Sequence, residues 1–401
     1  TPHSMRVSLI TAYVMDFGMP IEIIMKVVGH ASIVMSIYYV KIGTAKMRQV
    51  MAEGEKRALL NQAADAQVMI EQNRLDELTH KMIANSDEAL QALMSGTAGA
   101  QLVKDFGVCP YAGARCDDGG ESLASNTWSP APAGYLGMQN CPRCRHLITS
   151  PVFLGGLVAL WNEIALRVNL YSEKYGDLDR QVEQHRNKVQ ELDYIEIEME
   201  EAGKEFDSRD RLRIEAAIRK LQGELEGVAK KMDMFLCDMQ AVTKLIDDCK
   251  VVLREQTATS DDAPDSDETL QLIVHAQSEL SIEFEETSLF QQLNEVCVNA
   301  TIYQSSSAEF ATPRRSQMID RMTMLNNIRP VMCNLSEREQ LVLGNQVTNF
   351  FFNRLKSWER VDSIINGTLL LEDLSGAERI TTKEFTKILS SRPFGLLESN
   401  I

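Results

Sequence analysis

The stretch Ile214–Leu253, "IEAAIRKLQGELEGVAKKMDMFLCDMQAVTKLIDDCKVVL", decides how the middle of this chain is built. Ile214, Ile218, Leu221, Leu225, Val228, Met232, Phe235, Met239, Val242, Ile246, Cys249 and Leu253 follow one another at alternating spacings of four and three. An apolar residue every 3.5 positions forms a seam along one side of an α-helix, and such a seam needs a partner. The partner lies just upstream. Tyr171, Tyr175, Leu178, Val182, His185, Val189, Leu192, Glu196 and Met199 repeat the spacing with less regular residue types, and the short polar stretch "EEAGKEFDSRD" separates the two runs. Two helices of similar length joined by a turn bury each other's seams as an antiparallel hairpin, so residues 157–256 read as a coiled-coil arm of roughly 65–70 Å at ~1.5 Å per residue. His185 in the seam reads as a tolerated polar insertion.

Working outward, residues 107–156 have another character. They hold 8 of the 22 glycines and 5 of the 11 prolines, with Cys109, Cys116, Cys141 and Cys144. A segment built from loops has too little core to fold alone and needs a clip. Cys141 and Cys144 form C-P-R-C, whose short loop turns both thiolates toward one ion; Cys109 and Cys116 form a looser C-x6-C pair. Four thiolates at tetrahedral geometry close the shell of Zn²⁺ and leave no place for a catalytic water, so residues 101–156 are expected to be a zinc-binding module with a structural metal. Four unrelated thiols, an iron–sulfur cluster and disulfides are the competing readings. His146 is expected to point away from the metal or toward DNA, with replacement of one sulfur as the lesser option. Cys237, Cys249, Cys297 and Cys333 have no paired spacing and read as core thiols.

Residues 61–100 read as connecting helices and 257–269, with five acids and no base, as an acidic linker. Residues 270–401 read as helical, with capping-box spacing at Ser336/Glu339 and Thr381/Glu384. The whole is expected to be mainly α.

Composition bounds the function. The chain has 401 residues, eight cysteines and a net charge of −16. So few cysteines do not make a secreted disulfide scaffold, no run reads as the ~18 apolar residues of a membrane span, and a cytoplasmic protein without a membrane partner is the default. The acidity is uneven: residues 1–60 hold seven Lys and Arg against four Asp and Glu, so the rest carries −19. The charge therefore neither supports nor excludes a nucleic-acid partner for the first sixty residues.

Those sixty residues carry the chemistry. His3 and Arg6 form H-x-x-R, His30 follows Gly29 in "VVGH", and "SIYY" places Ser36 three before Tyr39. A planar guanidinium matches two phosphoryl oxygens, imidazoles donate to phosphate and exchange protons near neutral pH, and a tyrosine oxygen is a nucleophile whose ester with DNA can be reversed without a cofactor. The joint order resembles the C-terminal half of the tyrosine recombinase (phage integrase) catalytic domain, over residues 1–60. Val28 stands where that family has Leu.

The resemblance implies an enzyme that breaks and rejoins double-stranded DNA at attachment sites through a 3′-phosphotyrosine intermediate, with Tyr39 as nucleophile and Arg6, His3 and His30 on the phosphate. It implies a tetramer on paired sites, and no cofactor for the recombination itself. The family also uses a first arginine and a hairpin lysine, which would precede Thr1. The full-length protein is therefore expected to recombine DNA and this chain, read as a fragment, not to. The stretches "GVCPYAGARCDDGG", "PAGYLGMQNCPRCRHLITSPVFLGGL" and "RRSQMIDRMTML" resemble the large bacterial mobile-element integrases of the gamma-mobile-trio type. That likeness implies a genomic island, a bacterial, nucleoid-associated setting and companion recombinases. The alternatives are a non-catalytic DNA-binding protein or a coiled-coil scaffold that retains a recombinase remnant.

Overall fold

The computed structural model describes residues 82–96, 100–120, 127–134, 140–259 and 282–390, with Val68 and the strands Val40–Thr44 and Ser122–Ala124. His3, Arg6, His30 and Tyr39 lie outside the described residues. The fold is mainly helical, with 71% of the described chain's well-placed residues in helices. The described residues fall into two compact units, one containing Arg167–Gln240, the other containing Ala241 onward and the segment that ends at Leu166.

Two helices dominate the middle of the chain: α2 (Leu154–Glu201, 48 residues) and α3 (Arg209–Thr259, 51 residues). The turn between them is Ala202–Ser208, where Gly203 takes a positive φ of 65° that a side chain would resist. Within the first unit, the burial follows the seam. From Tyr171 to Met199 the nine residues at seam spacing are all buried or half-buried, while most of their neighbours are exposed. On α3, Ile214, Ile218, Leu221 and Leu225 are half-buried and Val228, Met232, Phe235 and Met239 are buried. Leu178 packs with Val228 and Met232, flanked by Tyr171, Tyr175, Leu221 and Leu225. The rings of Tyr171 and Phe235 lie 5.4 Å apart, and Arg211 reaches back to Glu196 at 2.5 Å and Asp193 at 3.3 Å. These partners run in opposite sequence order, so the helices are antiparallel.

In the second unit, Trp161 Nε1 donates to Thr243 Oγ1 at 3.0 Å, and Leu157, Trp161, Val242, Ile246 and Cys249 are all buried. Helix α2 starts at Leu154, after the 3-10 turn Pro151–Phe153, three residues before the point expected from the pattern. Its opening also corrects the reading of apolar runs: a stretch within Pro151–Glu201 is long and apolar enough to cross a bilayer, and most of it is buried inside the protein. A buried core helix passes the same test of length and composition.

Strands are short but not absent. The module before α2 is a four-stranded antiparallel sheet in the order β2 (Ile83–Ala84), β7 (Ile148–Thr149), β4 (Gly107–Cys109), β3 (Leu102–Lys104), covered by helix α1 (Asp87–Ser95). Its core is Ala89, Leu93, Val108, Ile148 and Phe153. This cluster of five is small, in keeping with a segment held largely by its loops. A separate hairpin pairs β5 (Ser122–Ala124) with β6 (Thr127–Trp128). Strand β1 (Val40–Thr44) pairs antiparallel with β8 (Ile282–Glu286), Val40 opposite Glu286 and Thr44 opposite Ile282. Strand β8 falls in the region read as helical.

Beyond β8 lie five helices: α4 (Leu289–Ile302), α5 (Ala311–Leu325), α6 (Glu337–Leu355), α7 (Trp358–Asn366) and α8 (Thr382–Ser390). They enclose one core that includes Phe290, Ile319, Met322, Val347, Phe351, Ile364 and Phe385. Both capping boxes form. Ser336 Oγ accepts from the Glu339 amide while Glu339 Oε2 accepts from the Ser336 amide at 2.9 Å, and Thr381 and Glu384 exchange the same pair of bonds at 3.2 and 3.0 Å. Cys249 and Cys297 are buried, as core thiols should be; Cys237 is half-buried, and Cys333 departs from that reading by being exposed.

Candidate metal centre

Cys109, Cys116, Cys141 and Cys144 line one cavity of about 400 Å³, together with Lys104, Arg115, His146 and neighbouring apolar groups. Each arrives there by a local device. Cys109 ends β4, opposite Leu102, and its carbonyl accepts from the Ala112 amide in the turn that follows. That turn carries Ala112 at φ 48° and Gly113 at φ 84° and delivers Cys116 to the 3-10 turn Cys116–Asp118. Cys141 opens a second 3-10 turn, closed by the Cys144 amide donating to the Cys141 carbonyl at 3.0 Å. Pro142 sits inside it, where a missing N–H costs nothing. The Arg145 amide then donates to the Gly119 carbonyl at 3.1 Å, which ties the two cysteine turns together. Gly119 has no alternative here, since a Cβ on it would stand 2.6 Å from Cys144 Sγ.

The start of α1 fastens the knuckle from the other side. Asn85 Nδ2 donates to the Cys144 carbonyl and Ser86 Oγ to the Arg145 carbonyl, both at 2.9 Å, while Ser86 Oγ also accepts from the Ala89 amide to cap the helix. The sulfur of Cys144 accepts from the His146 amide at 3.4 Å, the kind of contact that favours a thiolate.

All four thiols are free of disulfides. Burial pushes the Cys141 thiol up, against a counter-pull from Lys104, and pushes Cys144 up to about 11. Without a cation both are protonated at neutral pH, so a bound metal would displace protons from them. The donor set suits a soft divalent cation: four sulfurs and one imidazole on a single cavity. The arrangement is open, however. Among the described residues no three His, Cys, Asp or Glu side chains stand in positions that would hold an ion as they are.

An ion network borders the cavity. Asp118 accepts from Arg115 Nε at 3.0 Å, from Arg145 Nη2 at 3.0 Å and shares a 3.1 Å contact with His146 Nε2. Arg115 also reaches Glu88 at 2.6 Å and lies over the Tyr111 ring. The Arg115 guanidinium holds the Asp118 carboxyl far below the usual carboxylate range, and lowers Glu88 as well. His146 is lowered chiefly by burial, with Asp118 pulling the other way. His146 is buried, its ring 2% exposed and edge-on to Tyr111 at 4.8 Å. The turn after Cys144 brings the ring inward, and Asp118 keeps it there.

Sequence reasoning brought the four cysteines together but missed Asp118, Arg115 and Glu88. The spacing of Arg115 and Asp118 within "ARCDDGG" was the available signal; a turn rich in Asp and Gly reads more readily as solvated. No protein-family model, no curated protein and no solved structure matches this chain.

Proposed function

We propose that this chain carries part of a tyrosine recombinase that integrates or excises a bacterial mobile element, followed by a zinc-clipped module, a helical arm and a helical C-terminal region. The observation that carries this reading is the joint spacing of His3, Arg6, His30 and Tyr39. Tyr39 Oη attacks the scissile phosphorus, the bond to the 5′-oxygen breaks, and the leaving oxygen takes a proton, leaving a 3′-phosphotyrosine. Arg6 and the imidazoles of His3 and His30 offset the charge on the phosphoryl oxygens. The link has an energy similar to the phosphodiester it replaces, so rejoining needs no cofactor. Partner DNA is double-stranded, and the working assembly is a tetramer on paired sites.

The zinc reading is part of the same proposal. Cys109, Cys116, Cys141 and Cys144 supply the thiols, and their convergence on one cavity supports it. A bound zinc would close the loops of residues 101–156 around a core too small to hold them.

The test is a nicked suicide duplex incubated with the full-length protein. A covalent complex that survives denaturation supports the reading, and no complex on any duplex that the protein binds would refute it. A second reading, a coiled-coil scaffold, is favoured by Tyr194, Ile197 and Leu212, which are exposed on the outer part of the arm at 71%, 53% and 57%. Duplex affinity that falls steeply with salt excludes a pure scaffold, because a scaffold makes no phosphate contacts.

A further inference from the structure

We propose that His146 is itself a metal ligand, through Nδ1, so that the shell of the bound zinc is three thiolates and one imidazole. This inference rests on the zinc reading above and narrows it.

Five soft donors face one cavity, and a closed zinc shell takes four. His146 is the one whose surroundings match those of a ligating residue on both sides of the ring. Its Nε2 meets the Asp118 carboxylate at 3.1 Å, and Asp118 is kept ionised by two arginines. Arg145 Nε also stands 3.4 Å from Nε2, but the carboxylate contact is shorter and carries full charge, so it takes the proton of that nitrogen. The proton on Nε2 leaves Nδ1 with a bare lone pair. That Nδ1 is buried and has no hydrogen-bond partner. A buried acceptor with nothing to accept from costs free energy, and a cation in the adjoining cavity removes that cost. Carboxylate on the far nitrogen and metal on the near one is the usual setting of a zinc-bound histidine.

The backbone supports the same assignment. The His146 amide donates to Cys144 Sγ, which holds the His146 backbone against that sulfur, and both residues line the one cavity. Cys141 and Cys144 share a second turn, so three donors come from residues 141–146 and one from the looser pair. The remaining thiol of Cys109 and Cys116 is then a spare. Asp118 is a positioning residue that fixes the tautomer of His146.

The experiment is zinc K-edge X-ray absorption on the whole chain, with metal content measured alongside, followed by cobalt substitution in the native protein and in His146→Gln, His146→Cys and Asp118→Asn. One zinc per chain with three sulfur and one nitrogen scatterers is the expected result. His146→Cys should then move the cobalt spectrum to that of four sulfurs, and Asp118→Asn should weaken zinc binding about 10–100-fold without changing the donor atoms. One zinc with four sulfurs in the native protein overturns the role of His146 and leaves the zinc reading standing. A chain that binds no zinc overturns both.

Discussion

The guanidinium of Arg315 lies against the bare Cα of Gly344, so closely that a Cβ built there would stand 2.5 Å from Nη2 and 2.8 Å from Cζ. Arg315 is fully buried, and its hydrogen-bond partners among the described residues are neutral: Asn294 Oδ1 at 2.9 Å, Asn345 Oδ1 at 2.5 Å and the Leu341 carbonyl at 2.9 Å. Helices α4, α5 and α6 are thus pinned by one cation that faces no carboxylate among the described residues, and burial lowers its pKa. Gly344→Ala should destabilise the C-terminal helices by about 1–3 kcal/mol, because neither the backbone nor the fork can yield without breaking a bond. Thermal unfolding measures this, and an unchanged midpoint would show that the guanidinium has room to move.

The arm offers a paired test. Leu225 flanks the Leu178, Val228 and Met232 cluster, whereas Glu224, one residue earlier, is exposed and only loosely paired with Lys220 at 3.9 Å. Leu225→Asp should cost roughly 2–3 kcal/mol and melt the arm locally, since it places an unpaired charge in the seam. Glu224→Lys should be nearly silent. Circular dichroism and hydrogen exchange read both, and equal loss of helicity would refute the seam.

Asp362 gives a pH dependence of defined sign. Burial raises its pKa, against a bond from Ser288 Oγ at 2.6 Å, so the folded protein binds this proton more readily than the unfolded chain does. Its contribution to stability therefore rises as the pH falls through the carboxylate range and is unfavourable at neutral pH. Asp362→Asn keeps the acceptor for Ser288 and removes the charge. The variant should be more stable than the native protein at pH 7, and the advantage should vanish below about pH 4. A variant less stable at pH 7 would mean that the charge itself is needed, for instance by the α4 N-terminus beside it.

How much of this was legible in the sequence follows from the range of the interactions involved. The seam from Ile214 to Cys249 and the caps at Ser336 and Thr381 depend on residues three or four apart, and a linear reading finds them. The cysteine cavity was legible because paired spacing survives in loops. The pairing of Val40–Thr44 with Ile282–Glu286 was not, since two five-residue strands so far apart in sequence carry no local mark of each other. Arg315 sits beside Arg314 in "TPRRSQ" and looks like any surface cation until α4 and α6 close over it. The inward turn of His146 depends on Asp118, 28 positions away, and so escaped the reading of the C-P-R-C knuckle alone.

The proposed role of Tyr39 as nucleophile of a DNA strand transferase is tested by mass-spectrometric mapping of the tyrosine that carries nucleotide after reaction with a suicide duplex. The protein used is the full-length one. The nucleotide should be found on Tyr39, be lost in Tyr39→Phe with duplex binding retained, and persist in Tyr38→Phe. Nucleotide on Tyr38, or a covalent complex that survives Tyr39→Phe, would contradict the assignment.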